Sequence, residues 1–181
     1  ANLGGNSSKI TYMTPAMNGL TAGISHTNAT MAGGADTSEF GASYTMDAGG
    51  AAITIGGVTG TTENSTQDID SQQIGVKIVS GDLTLVVAQS EYEASGDDEQ
   101  GTDAAIKFQV NDSMSLVAYT SDVQDDSSSE EYTNTGAEMV YSIASGLSAI
   151  VTVEDYDYKV GTSGNTADNG TYSKLTIKAT F

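Results

Sequence analysis

The side chains able to do chemistry in this chain are unevenly chosen: 24 carboxylates, six lysines, one histidine (His26), and no cysteine or arginine. A single histidine without cysteine supplies neither a histidine-based metal set nor a thiolate nucleophile. Serine and aspartate are plentiful, yet the G-x-S-x-G turn that exposes a nucleophilic serine is absent. The run Gly56-Gly57-Val58-Thr59-Gly60 lacks the lysine that follows a phosphate-cradling loop and reads as glycines within a strand. These residues do not predict an enzyme, and no cofactor is required of them.

The carboxylates offer one further chemistry. They gather as Asp97-Asp98-Glu99, Asp122, Asp125-Asp126, Glu130-Glu131, Asp155, Asp157 and Asp168. Clustered oxygen ligands suit Ca²⁺, so Asp97, Asp98, Asp125 and Asp126 are the candidate metal ligands. Their order does not match the EF-hand loop, and solvated acidic loops explain the same clusters. A net charge of −18 argues against nucleic acid, whose phosphates need clustered cations. It argues equally against docking on an anionic membrane surface.

The lysines matter for their spacing. In the last segment, Lys174, Thr176, Lys178 and Thr180 alternate with Leu175, Ile177, Ala179 and Phe181. Elsewhere Ile74, Val76 and Ile78 oppose Lys77; Ala104, Ile106, Phe108 and Val110 oppose Lys107; Ala137, Met139, Tyr141 and Ile143 oppose Glu138; Leu147, Ala149, Val151 and Val153 oppose Glu154. A period of two places neighbours on opposite faces of a strand. Parity therefore assigns Lys9, Glu39, Lys77, Lys107, Glu138, Glu154, Lys174 and Lys178 to a polar face, where they are the candidate pore-lining residues. A lysine on a lipid-facing strand surface near mid-membrane would cost about 2–4 kcal/mol.

The elements that must position these residues are strands. Eleven are predicted: Ser8–Thr14, Gly19–Thr27, Ser38–Met46, Ala51–Gly60, Gln72–Val79, Asp82–Tyr92, Asp103–Val110, Ser113–Ser121, Thr135–Ala144, Leu147–Tyr158 and Thr171–Phe181. Tight turns at Pro15–Asn18, Asp47–Gly50, Ser80–Gly81, Asn111–Asp112 and Ser145–Gly146 carry the Gly, Asn and Asp residues that hairpins favour. Longer polar connections, Asn28–Thr37, Thr61–Ser71, Glu93–Thr102, Asp122–Asn134 and Lys159–Gly170, alternate with them. No run approaches the roughly 18 apolar residues of a spanning helix. The expected fold is all-β, an antiparallel up-and-down transmembrane β-barrel, with short periplasmic turns and long external loops.

Aromatic placement points the same way. Tyr12, Tyr44, Phe108, Tyr141 and Phe181 lie near the tight-turn ends of their strands, on the apolar face by parity. Outward rings at one level suit a membrane-interface girdle. The competing reading is ring packing inside a β-sandwich, whose Greek-key crossovers would break the regular succession of connections.

The run Asn6-Ser7-Ser8-Lys9-Ile10-Thr11-Tyr12-Met13-Thr14-Pro15-Ala16-Met17-Asn18-Gly19-Leu20 resembles a segment of trimeric general bacterial porins of the alphaproteobacterial type. In that family the segment follows the loop folded into the pore. The terminal Phe181 is similar to the assembly signal of outer-membrane barrels. The resemblance implies a 16-stranded barrel in the bacterial outer membrane of a Gram-negative organism. It would be a homotrimer in contact with outer-membrane lipid and lipopolysaccharide, passing small hydrophilic solutes and ions by passive diffusion. It also implies that basic wall residues face acids on the pore-folded loop, although arginine is absent here. Eleven strands would then be the C-terminal portion of one barrel domain, residues 1–181, with about five N-terminal strands, that loop and a signal peptide lying upstream. The acidic excess predicts weak cation preference. The alternative reading is a secreted or surface-layer, Ca²⁺-stabilised β-rich adhesion module; a third is a plugged barrel serving as a receptor.

Overall fold

A computed structural model describes residues 7–29, 35–64, 67–161 and 167–180. It contains eleven strands: β1 (Ser7–Met13), β2 (Leu20–Ala29), β3 (Asp36–Asp47), β4 (Ala51–Glu63), β5 (Asp68–Ser80), β6 (Leu83–Ala94), β7 (Asp97–Asn111), β8 (Met114–Asp125), β9 (Glu130–Ala144), β10 (Leu147–Lys159) and β11 (Asp168–Ala179). They form one sheet in chain order, every neighbouring pair antiparallel. This is an up-and-down meander without a crossover. Among the described residues, β1 pairs only with β2 and β11 only with β10, so both outer edges of the sheet are open.

Pairing carries the faces from strand to strand, because directly opposed residues in an antiparallel pair point the same way. One face holds Ile24, Phe40, Ile55, Val76, Leu85, Ile106, Leu116, Met139, Val151 and Ile177. The opposite face is largely polar. The apolar side chains sit in the half of each strand next to the tight turns. From Leu147 to Val153 the apolar run on β10 covers seven residues, about 20 Å at ~3.3 Å per residue. On a strand tilted by about 40° such a run spans about 15 Å of the membrane normal, the middle of an apolar band of roughly 25 Å.

Burial is inverted relative to a water-soluble sheet. Ala94 is the one buried hydrophobic residue among those described, whereas Ile24, Phe40, Ile106, Leu116 and Ile177 are exposed. The two buried polar side chains, Ser115 and Thr152, belong to the polar face. A sandwich would hide the apolar face under a second layer, and the described residues form a single sheet. The adhesion-module reading, that of a protein in water, leaves this exposed apolar face unexplained.

The strands are longer than their sequence suggests, and this corrects the long connections. Glu93–Thr102 is almost wholly strand, with β6 and β7 joined by Ser95–Gly96 alone, Gly96 adopting φ +86°. Of the predicted loop Thr61–Ser71, residues 61–63 belong to β4 and 68–71 to β5, and residues 126–129 are all that remain of Asp122–Asn134. Beyond the apolar band the alternation that marks a strand is lost, because both faces there meet water. Backbone pairing nevertheless continues. β7 and β9, at 15 residues each, exceed the ~9–11 that a tilted strand needs to cross a bilayer. The tight turns fall close to their predicted places, with positive φ at Asn18, Gly19, Gly49, Gly50, Gly81 and Gly146.

Candidate functional site

The register brings all eight predicted polar-face residues together on one face. Lys9 and Glu39 occupy β1 and β3; Ser25, between them on β2, stands opposite Glu39. The Lys9 ammonium meets a Glu39 oxygen at 3.0 Å, and the Ser25 hydroxyl donates to the same oxygen at 2.5 Å. Further round the wall, Lys77 stands opposite Thr54 and Val86, and Lys107 opposite Thr84 and Val117. Glu138 and Lys174 flank Thr152, whose hydroxyl donates to Glu138 at 3.3 Å. Glu154 lies between Gly136 and Tyr172, and Lys178 lies opposite Ser148.

The same face carries charges that sequence parity left unassigned: Asp97, Glu99, Asp103, Asp125, Glu130 and Asp168 follow the register onto it. Acids therefore outnumber lysines along the wall. The sixth lysine, Lys159, lies on the opposite face at the end of β10 away from the tight turns. There it donates to Glu131 at 2.7 Å, which pushes the lysine pKa above its ordinary value.

Tyr12, Tyr44, Phe108 and Tyr141 all point from the apolar face near the tight-turn ends, and each is exposed. Phe181 lies outside the described residues. The sequence reading missed the other six tyrosines. Tyr92, Tyr119, Tyr132, Tyr156, Tyr158 and Tyr172 share the polar face. Parity against Val117 and Ser121 could have placed Tyr119 there; its partners, on β9 and β10, needed the register.

The candidate metal ligands do not converge. Asp97 and Asp98 belong to β7 rather than to a loop and point to opposite faces. Asp125 ends β8, and its carboxylate accepts from the hydroxyls of Ser127 and Ser128 at 2.6 and 2.7 Å and from their amides at 2.8 and 3.0 Å. These donors, the Ser127 hydroxyl foremost, hold its pKa down at about 2. Asp126 accepts from the Gln100 side chain at 3.3 Å. Among the described residues no three His, Cys, Asp or Glu side chains form a metal-binding group.

A sheet with one exposed apolar face, a charged opposite face and meander connections narrows the fold to a membrane barrel wall. A family model described as Gram-negative porin matches residues 1–162. The chain belongs to the Gram-negative porin family. Its site is thus the wall of an outer-membrane β-barrel, and the porin resides in the bacterial outer membrane. No match was found among curated proteins. Among solved structures, the porin is similar to OccAB4 of Acinetobacter baumannii, with a TM-score of 0.78 at 13% identity over 96% of this chain and 52% of that one. It is similar to OccD3 of Pseudomonas aeruginosa, TM-score 0.75 at 8% identity, covering 97% and 57%. An anion-selective porin from Comamonas acidovorans follows with 0.64 at 14%, covering 94% and 57%. At such identities the likeness is one of fold. The chain spans about half the length of these structures.

Proposed function

We propose that this porin sheet is part of the wall of a water-filled channel through which small hydrophilic solutes and ions diffuse passively, with weak cation preference and no chemical step. The observation that carries the reading is the segregation of charge. Lys9, Glu39, Lys77, Lys107, Glu138, Glu154, Lys174 and Lys178 share one face, while most of the exposed large apolar side chains, Ile24, Phe40, Ile106 and Leu116 among them, fill the other. A barrel wall in lipid can keep charges only where they meet water. The acidic excess on that face supports cation preference, since charged rings in a narrow aqueous pore bias permeation.

The open edges at β1 and β11 support further strands completing the barrel, because unpaired backbone groups facing hydrocarbon are not tolerated. Tyr12, Tyr44, Phe108 and Tyr141 would form part of the interfacial girdle. The strand ends rich in carboxylates would stand outside the cell beside lipopolysaccharide, and the assembly would be a homotrimer. Planar-bilayer recording of the full-length protein tests the proposal. Stable ohmic steps, with a reversal potential displaced toward that of the cation in a salt gradient, support it. Absence of conductance in a correctly assembled protein contradicts it and favours a plugged barrel used as a receptor.

A further inference from the structure

Two tyrosines on the polar face are held by the same device. Tyr119 on β8 stands opposite Gly136 on β9, and its hydroxyl reaches past that strand to donate to Glu154 on β10 at 2.6 Å. Tyr156 on β10 stands opposite Gly170 on β11, and its hydroxyl donates to Asp168 at 3.2 Å. In each case the ring lies over the glycine. A Cβ at position 136 would collide with the Tyr119 ring, and one at 170 would sit 3.1–3.3 Å from Tyr156. One face of each ring is thus spent on the wall, and the other is turned to the space in front of it.

These rings are not isolated. Glu154 is flanked by Gly136 and Tyr172, so one register row runs Tyr119, Gly136, Glu154, Tyr172. Beside Tyr119 the wall is hollowed into a cavity of about 410 Å³, lined by Asp103, Ser121 and Asn134 among others. The nearest lysines on this face, Lys107 and Lys174, lie one row nearer the tight turns. Between β7 and β11 the tyrosine rows themselves contain carboxylates and no cation; the Tyr119 row meets Lys77 only on β5, three strands away.

We propose that this part of the wall, between β7 and β11, offers adjoining binding positions for small organic ammonium ions, with the ring faces of Tyr119, Tyr156 and Tyr172 and the carboxylates of Glu154 and Asp103 as the recognition groups along it. The proposal rests on the reading that this face lines an aqueous channel. Ring quadrupoles attract a cation held over the face. A hydroxyl that donates to a carboxylate leaves more electron density in its ring, which strengthens that attraction. A neutral solute would gain nothing from the carboxylates, and an anion would be repelled by them.

The test uses the full-length protein in planar bilayers carrying KCl, with choline added to one side and maltose as the neutral comparator. Choline is expected to reduce the potassium current saturably and maltose to leave it unchanged at equal concentration. Each ring is worth about two- to fivefold at such sites, so replacing both Tyr119 and Tyr156 by Leu should raise the half-blocking choline concentration about tenfold. Tyr119→Phe, which keeps the ring, should change it far less than Tyr119→Leu. Should the double variant fail to assemble, Tyr172→Leu alone, on an exposed ring, should still weaken the block two- to fivefold. An unblocked potassium current in the wild type overturns the ammonium site while leaving the channel intact; no current at all instead removes the channel reading. Stronger block by maltose, or equal losses in the Phe and Leu variants, also overturns the site.

Discussion

Lys9 on β1 and Glu39 on β3 meet at 3.0 Å across the intervening strand β2, with Ser25 of that strand donating to the same carboxylate oxygen. The contact is half exposed on both sides, so it contributes little to stability, at most about 1 kcal/mol. Its consequence is electrical: each charge partly cancels the other at one point of the wall.

Removing either partner should therefore shift ion preference in opposite directions. Lys9→Met leaves the Glu39 carboxylate uncompensated and should move the reversal potential further toward the cation. Glu39→Gln should move it toward the anion. Both variants should unfold at nearly the wild-type denaturant concentration. Equal shifts of the same sign would contradict the assignment of this face to the aqueous side.

The two faces should differ sharply in tolerance to charge. Leu116 belongs to the exposed apolar face of β8, and its neighbour Val117 stands opposite Lys107 and Glu138 on the polar face. Leu116→Lys should cost about 2–4 kcal/mol in a bilayer. Val117→Lys should cost less than about 1 kcal/mol, since its ammonium would meet water and Glu138. Urea titration of the barrel in lipid vesicles measures both.

Acid should loosen the β8–β9 turn only at extreme pH. The four hydrogen bonds from Ser127 and Ser128 hold Asp125 ionised down to about 2, below its ordinary 3.8. A depressed carboxylate contributes stability that is fully present above the ordinary value and is lost as pH falls through the lowered one. Amide exchange at Ser127 and Ser128, corrected for its intrinsic pH dependence, should stay protected from pH 7 to about pH 4 and lose protection between about pH 4 and 2. Asp125→Ala should remove that protection at every pH.

The faces of this sheet were legible from the sequence because the strand repeat is two residues, so Lys77, Lys107 and Glu138 could be assigned without knowing any pairing. Strand ends were not legible. Glu93 stands directly opposite Asp98, a like-charge pair that local preference disfavours, and a stretch of this kind reads as loop. The paired backbone on either side holds it in the sheet regardless. The placement of Tyr119 over Gly136, 17 positions later, and onto Glu154, 35 positions away, depended on the register of three strands. The carboxylate clusters misled for the complementary reason: Asp97 and Asp98 are neighbours in sequence and so lie on opposite faces of β7.

The division between hydrocarbon and water is tested most directly along β10. The chain has no native cysteine, so single cysteines at positions 147 to 153 of the full-length protein can each carry a spin label. With the barrel in lipid vesicles, collision rates with oxygen, which concentrates in hydrocarbon, and with a water-soluble nickel chelate are measured at each site. Leu147, Ala149, Val151 and Val153 should favour oxygen, while Ser148, Ile150 and Thr152 should favour the chelate or be shielded from both, giving an oscillation of period two. Low oxygen contact at the four apolar positions, with no oscillation, would show that protein rather than lipid covers that face and would contradict the account.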